Sequence, residues 1–150
     1  MNMEIRQAKK QELYRIKELL SGNDLPVSDI DGNSLLFFVA ITDNRITGTI
    51  GIEQYNAVGL LRSLAVMSEN RNRKVGESLI RYLFDYCRSE NIKKLYLLTT
   101  TAENYFHKFG FQKIGRNLVP SEIKQTSEFR DICPGTAVIM YKENISGIYI

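Results

Sequence analysis

Three cations lie immediately before the start of a predicted helix. Arg71, Arg73 and Lys74 precede Gly76, and apolar residues then recur at the spacing of one helical face. The first N–H groups of a helix have no partner within the helix and carry a partial positive charge, which favours the binding of phosphate groups. This segment therefore predicts a site for a phosphorylated ligand. The alternative is a solvent-exposed helix start, which is the better interpretation of an isolated charge cluster.

A single charged residue interrupts an apolar run. Arg62 lies in the stretch LLRSLAV, and a guanidinium is buried only when it has an anionic partner. The partner is either a carboxylate of the protein, such as Glu53, or the carboxylate of a substrate, which guanidinium geometry suits. Arg130 is a second candidate for holding the substrate. Glu53 is also the candidate general base, acting through water, with a solvent-exposed charge at the end of a hairpin strand as the alternative.

Composition and charge argue against several classes of protein. Twenty Lys and Arg against 17 Asp and Glu leave a net charge of +3, too small an excess to predict nucleic-acid binding, although the RNRK run keeps that alternative open. The longest apolar run, residues 35–41, is far shorter than the ~20 residues that cross a bilayer, and the N-terminus lacks the apolar core of a signal peptide. We therefore predict a cytoplasmic protein with no membrane or nucleic-acid partner. One histidine and two cysteines without a CxxC pair predict no metal site.

The elements that must position these residues follow from the hydrophobic periodicity. The 150 residues are expected to form one domain, residues 1–150. Strands joined by tight turns come first and strands alternating with helices come second, which predicts an α/β fold with a mixed sheet of about seven strands and about four helices. Thr100 and Glu103 form a capping-box pattern at the start of the third helix. The predicted strands are 3–7, 35–41, 46–54, 57–67, 95–98, 111–114 and 136–142, and the predicted helices are 9–20, 75–89, 100–108 and 120–125.

The cationic segment resembles the acetyl-CoA-binding motif of the GCN5-related N-acetyltransferases. That motif has Gln or Arg first, Gly fourth and Gly or Ala sixth; Arg71 and Gly76 match, and Lys74 replaces the middle glycine. The backbone N–H survives this replacement if Lys74 takes ordinary helical angles, whereas a positive φ would be costly. The resemblance implies that the cofactor contacts Leu64, Ala65 and Val66, one of which supplies an oxyanion-binding N–H, and then Arg71, Asn72, Arg73, Lys74, Val75, Gly76 and Glu77.

A second segment, TTTAENYFHKFGF, is similar to another motif of the same family. Ala102, Gly110 and Phe111 match it, while Thr99 stands in place of Asn and Phe106 in place of Tyr. In many members that tyrosine protonates the thiolate of coenzyme A, and phenylalanine has no proton to give. The resemblance implies that Thr99 and Phe106 lie at the cofactor, and it leaves the general acid unassigned.

Longer stretches resemble particular groups within the family. LYLLTTTA and LVPSEIKQ are similar to the acetyltransferase domain of N-acetylglutamate synthases, and LLRSLAV with the run VPSEIKQTSEF is similar to the small N-acetyltransferases of arsenic-resistance operons. This likeness implies the acetyltransferase fold, with two splayed central parallel strands and acetyl-CoA as the donor. Together with the two arginines it favours a small, anionic, amino-acid-like amine as acceptor, and it allows a homodimer. The alternative is a non-catalytic acyl-CoA-binding or regulatory module.

Overall fold

Seven strands form one mixed sheet with α-helices beside it. The computed structural model describes residues 3–30, 35–71, 74–132, 136–143 and 145. The sheet order is β1-β2-β3-β4-β5-β7-β6, and the predicted α/β fold is confirmed. The strands are β1 Met3–Gln7, β2 Leu35–Thr42, β3 Arg45–Tyr55, β4 Val58–Val66, β5 Lys94–Thr99, β6 Gln112–Ile114 and β7 Val138–Lys142, and the α-helices are α1 Leu13–Gly22, α2 Val75–Ser89, α3 Glu103–His107 and α4 Ser121–Lys124.

The hairpin of β2 and β3 follows from its turn residues. Asp43 and Asn44 both have positive φ, 52° and 62°, as a two-residue type I′ turn requires. Antiparallel pairing then runs from Thr42 opposite Arg45 back to Leu35 opposite Glu53, with a register shift beside Ala40 and Ile41. β1 pairs antiparallel with β2 along the edge that is opposite to β3. The hairpin therefore fixes Glu53 at a defined position near the end of β3.

The two central parallel strands are paired over only part of their length. Val58 to Leu60 of β4 lie opposite Lys94 to Tyr96 of β5. β4 has nine residues and β5 has six, so most of β4 extends beyond the paired stretch. The two strands are thus paired near the start of each, and the splay of the central strands stays a prediction.

Two helix starts differ from their predictions. The first predicted helix begins as a 3₁₀ turn, Lys10–Glu12, and only then becomes α1. The capping box at Thr100 and Glu103 is wrong, because α3 has Ala102 as its N-cap with no side-chain cap. Instead, the Ala102 N–H donates to Oγ1 of Thr99 at 2.9 Å. A Ser/Thr pattern near a helix start does not say which hydroxyl will accept the bond.

Contacts divide the chain into two compact units. Unit 1 consists of Met1–Glu53 and Arg62–Tyr86, and unit 2 of Gln54–Leu61 and Cys87–Ile150. The single-domain prediction stays a prediction. Within the residues that the structure describes, no helix is both long and apolar enough to span a membrane. The core of unit 1 includes Ile16, Leu20, Ile30, Phe37, Val39 and Ala65, and that of unit 2 includes Leu60, Tyr96, Val119, Ile123 and Ile139.

Candidate functional site

The end of β4 is tied to the start of α2 by a short, well-bonded connection in unit 1. After Val66, the Met67 N–H donates to the carbonyl of Thr47 at 2.8 Å. A 3₁₀ turn, Ser68–Asn70, follows, and Asn70 is buried. These bonds hold the first part of the connecting segment, residues 67–70, close to β3.

The start of α2 offers backbone donors of the kind that bind phosphate. In its first turn, the Ser78 N–H donates to the carbonyl of Lys74, the residue before the helix, at 3.0 Å. The N–H groups of Val75, Gly76 and Glu77 precede that bond, so the helix supplies them with no acceptor four residues earlier. Three adjacent amides at the positive end of a 15-residue helix fit a pyrophosphate group.

Lys74 has the backbone conformation of the glycine it replaces. Its φ is 61°, in the left-handed region, and its side chain is exposed. The condition on which the sequence interpretation depended, ordinary helical angles, is therefore wrong. A left-handed φ is favourable for glycine. A residue with a β-carbon, such as Lys74, adopts it with backbone strain.

Arg71 is the other cation of this segment among the residues that the structure describes. Nη2 of Arg71 donates to Oδ1 of Asn23, the residue that follows α1. The Arg71 side chain is otherwise exposed. Asn72 and Arg73 lie outside the described residues. The cationic segment thus has Arg71 and Lys74 at its two ends, both accessible to an anion.

Ser63 is a second residue with left-handed backbone geometry, and it lies within a strand. Its φ is 59° and its side chain is buried. Such a residue disturbs the alternation of side chains along a strand, and strain of this kind clusters at functional sites. The next three residues are Leu64, Ala65 and Val66, which sequence reasoning assigned to the cofactor. Ala65 packs in the core of unit 1, while its two neighbours are partly exposed.

Arg62 is buried among carboxylates of unit 1. Its Nη1 and Nη2 donate to the two carboxylate oxygens of Asp29 at 2.5 and 2.7 Å, and Nη1 also donates to Oε2 of Glu53 at 3.0 Å. Nε donates to Oγ of Ser63 at 3.2 Å. We call Arg62, Asp29 and Glu53 the Arg62 cluster. The sequence left open whether Arg62 has a protein partner, and the structure shows that Asp29 and Glu53 are partners. The role of Arg62 toward a substrate stays a prediction.

Unit 2 carries the remaining predicted residues. Thr99 ends β5 and its hydroxyl accepts the bond from Ala102. Phe106 is buried, with its ring in edge contact with Tyr105 and Phe111 at centroid distances of 5.4 and 5.9 Å. Arg130 is exposed in a π-helical turn, Glu128–Ile132. None of these observations tests a cofactor or substrate contact, so those roles stay predictions.

The thiol of Cys87 and the possible metal ligands of the described residues are further candidates for a chemical role. Burial raises the pKa of Cys87 to about 12, so its thiol is protonated and unreactive at neutral pH. Cys133 lies outside the described residues. Over the part of the chain that the structure describes, no group of three or more His, Cys, Asp or Glu side chains is arranged to hold a metal ion.

Comparison with protein families identifies the fold that these residues belong to. The model of the GNAT acetyltransferase family matches residues 3–111, well over half of the chain. The chain belongs to the GNAT acetyltransferase family. The match includes both strands of the parallel pair, the start of α2 and the segment around Phe106. The more particular likeness to arsenic-resistance enzymes stays a prediction.

Relatives of this GNAT protein are distant in sequence and similar in fold. It is 25% identical over 129 residues to a probable N-acetyltransferase, camello, of Xenopus tropicalis, which covers 81% of this chain and 56% of the relative. N-acetylglutamate synthase of Neisseria gonorrhoeae, in complex with coenzyme A and N-acetyl-glutamate, superposes with a TM-score of 0.81 at 19% identity, covering 96% of this chain and 35% of that one. Tetrahymena GCN5 superposes with a TM-score of 0.78 at 20% identity, covering 99% of each chain.

The chain spans about half the length of the curated relatives it matches, 56% in each of two cases. The activity of the whole protein is therefore a matter for proposal. Sequence reasoning missed one residue of the Arg62 cluster, Asp29, which is 33 residues away from Arg62. No local pattern marks Asp29, because an aspartate in a connecting segment is ordinary.

Proposed function

We propose that this GNAT protein is an acetyl-CoA-dependent N-acetyltransferase. The family match across residues 3–111 carries the proposal. The donor amides at the start of α2 support it, because they suit the pyrophosphate of coenzyme A. Solved relatives at this fold, such as the N-acetylglutamate synthase complex, hold coenzyme A.

The residues of this chain would divide the work of acyl transfer. Bound acetyl-CoA supplies an activated acetyl group as a thioester. The N–H groups of residues 75–77, with Arg71 and Lys74, hold the phosphates, and a backbone N–H among residues 64–66 donates to the oxyanion as it forms. Glu53 takes a proton from the attacking amine through water. Since Phe106 cannot protonate the departing thiolate, that proton is assigned to water.

The acceptor that we propose is a small, anionic, amino-acid-like amine. Arg62 and Arg130 are the candidate contacts for its carboxylate, and guanidinium groups bind carboxylates at two points. The relative in complex with N-acetyl-glutamate has a product of this chemical class. A small-molecule acceptor also agrees with the net charge of +3, which does not favour cationic protein tails.

Two further parts of the proposal concern location and assembly. An enzyme that uses acetyl-CoA must be in the compartment that supplies it, so we propose a cytoplasmic location. We also propose that the protein acts without a nucleic-acid or membrane partner. A homodimer is compatible with this proposal. A gel shift with DNA and RNA at two ionic strengths tests the RNRK alternative, since nucleic-acid affinity would fall steeply with salt.

The experiment combines cofactor binding with turnover. Calorimetry with acetyl-CoA is followed by a thiol-release assay over amines with and without a carboxylate. Binding together with turnover of a carboxylate-bearing amine supports the proposal. Binding without turnover of any amine favours the non-catalytic module. Phe106 in place of the tyrosine and Lys74 in place of the glycine are the features that support this alternative. Absence of binding contradicts both.

A pair of substitutions at one position tests the placement of the phosphates. Gly76→Ala adds a methyl group that the family motif accepts, whereas Gly76→Asp adds a negative charge among the amides of the helix start. We expect acetyl-CoA affinity to survive in the alanine variant and to be lost in the aspartate variant. Equal affinity in both would place the phosphates elsewhere.

Arg62 is tested by a conservative change. Removing its charge would take the guanidinium from the buried carboxylate of Glu53 and the partly buried carboxylate of Asp29, at a cost of about 3–5 kcal/mol in stability. Arg62→Ala would therefore not separate an effect on folding from an effect on binding. Arg62→Lys keeps the charge and loses the two-point geometry. We expect a raised KM for amines that carry a carboxylate, with little change for an amine that carries none. An equal effect on both would make Arg62 structural only.

A further inference from the structure

The carboxylate of Asp29 binds the guanidinium of Arg62 in the geometry that a ligand carboxylate would use. Both of its oxygens accept from the two terminal nitrogens of the guanidinium, at 2.5 and 2.7 Å. This is the two-point geometry by which arginine recognises free carboxylates. Any carboxylate-bearing acceptor that reaches Arg62 must therefore replace Asp29 first.

The two acidic members of the Arg62 cluster are held differently. Glu53 is fixed on β3, paired with Leu35 of β2, and its Oε2 accepts a hydrogen bond from Nη1 of Arg62 at 3.0 Å. Asp29 lies in a turn outside any helix or strand. The side chain of Asp29 is 19% exposed, compared with 10% for Glu53 and 1% for Arg62. Asp29 is the member of the cluster that faces solvent.

Releasing Asp29 requires little rearrangement of the backbone. The turn that carries it is anchored by Ile30, which is buried in the core of unit 1, and by Val27, which packs against the same core. The Ile30 N–H donates to the carbonyl of Val27 at 3.4 Å. Aspartate has only two side-chain torsions, so a change of rotamer takes its carboxylate off the guanidinium and into water while the turn stays in place.

The exchange keeps the number of charges around Arg62 the same. The cluster contains two carboxylates and one guanidinium, so when Asp29 leaves, Glu53 still balances the charge of Arg62. An incoming carboxylate then makes the same two hydrogen bonds that Asp29 gave up. The cost to the ligand is competition with a tethered group, whose effective concentration is on the order of millimolar or more.

We infer that Asp29 is an internal competitor for the carboxylate of the acceptor, and that it sets the affinity of the site by occupying Arg62 when no acceptor is bound. This inference rests on the proposed function insofar as the acceptor is anionic. It assigns Asp29 as a specificity-determining residue. Amines without a carboxylate leave the Asp29–Arg62 pair intact.

The test compares two aspartates of the same connecting segment. Asp29→Asn keeps the shape of the side chain and removes its charge, and Asp24→Asn makes the same charge change at an exposed position. Calorimetry measures binding of a panel of L-amino acids and of acetate, and separately of acetyl-CoA. We expect at least one carboxylate of the panel to bind Asp29→Asn roughly tenfold more tightly than wild type, because removing a tethered competitor at millimolar effective concentration frees the guanidinium. Asp24→Asn and the acetyl-CoA affinity should be unchanged.

Other outcomes are equally decisive. If no member of the panel gains affinity in Asp29→Asn, the inference is overturned and Asp29 is a structural partner. If that variant does not fold, as thermal denaturation would show, Asp29→Glu replaces it: the charge is kept and the two-point contact is weakened, and tighter carboxylate binding is again required. Because these readouts need no turnover, a failed thiol-release assay counts against the proposed function and leaves this inference to be judged by its own result.

Discussion

Lys74 holds a backbone conformation that suits glycine. A left-handed φ of 61° costs a residue with a β-carbon about 1–2 kcal/mol. The same residue precedes the donor amides of α2 and carries an exposed positive charge. Strain and charge at one position act on different properties, the first on stability and the second on the attraction of an anion.

Two substitutions at Lys74 separate these properties. Lys74→Gly and Lys74→Ala remove the same charge, and only glycine relieves the strain. We expect the glycine variant to be more stable than the alanine variant by about 1 kcal/mol, measured by urea denaturation. Both variants should bind acetyl-CoA with similarly reduced affinity if the charge contributes. A glycine variant no more stable than the alanine variant would contradict the left-handed geometry.

Glu12 shows how one ion pair makes stability depend on pH. The bond from Arg6 lowers the pKa of Glu12 from 4.5 to about 2, with a further contribution from the Lys9 N–H. A lowered folded-state pKa contributes stability that is fully present above pH 4.5 and is lost as the pH falls through about 2. The pair joins β1 to the turn that starts the first helix.

Glu12→Gln should therefore be less stable than wild type at pH 7, with a difference that shrinks as the pH is lowered from 4.5 to about 2. Urea denaturation at several pH values measures that difference. Glu18→Gln, at an exposed position of α1, controls for the loss of one surface charge. A difference that stays constant over the whole range would show that Arg6 does not hold the Glu12 carboxylate.

At the scale of elements, β3 and α2 approach each other through a glycine. A β-carbon on Gly48 would lie 2.9 Å from Cγ1 of Val75 and 3.0 Å from Cδ1 of Leu79. Val75 is the first residue of α2 and is almost completely buried. The close approach thus fixes the start of α2, where the phosphate-binding amides lie.

Gly48→Ala should destabilise the protein by about 1–3 kcal/mol, because the added methyl group overlaps two core side chains. Gly22→Ala is the matched control, since a β-carbon there would meet nothing within 4 Å. Alanine at the end of α1 should be neutral or slightly stabilising. Chemical denaturation measures both variants, and equal effects would mean that β3 and α2 are farther apart than described.

At the scale of the whole molecule, a ligand that binds the folded chain alone raises its stability. Acetyl-CoA at 100 times its dissociation constant adds about 2.7 kcal/mol to the free energy of unfolding. For a chain of this length, that corresponds to an increase in Tm of roughly 5–10 °C. Thermal denaturation should show this increase for wild type and for Gly76→Ala, and none for Gly76→Asp. An increase of the same size in all three would indicate binding away from α2.

The sequence by itself determined the elements whose signals are local. The helix predicted over residues 75–89 is α2, because the apolar residues of a helix repeat within a few turns. The tight turn predicted between the second and third strands lies at Asp43 and Asn44, residue types that tolerate positive φ. The seven strands of the sheet were found for the same reason, with errors of a few residues at their ends.

Only the tertiary structure decided which residues share the Arg62 cluster. Asp29 and Glu53 meet Arg62 across separations of 33 and 9 residues, and only folding brings such distant groups together. The φ of Lys74 was likewise seen only in the structure, where the next residue, Val75, packs closely against Gly48. Local propensity determines where a helix forms, whereas contacts between distant segments determine the backbone conformation of the residue that precedes it.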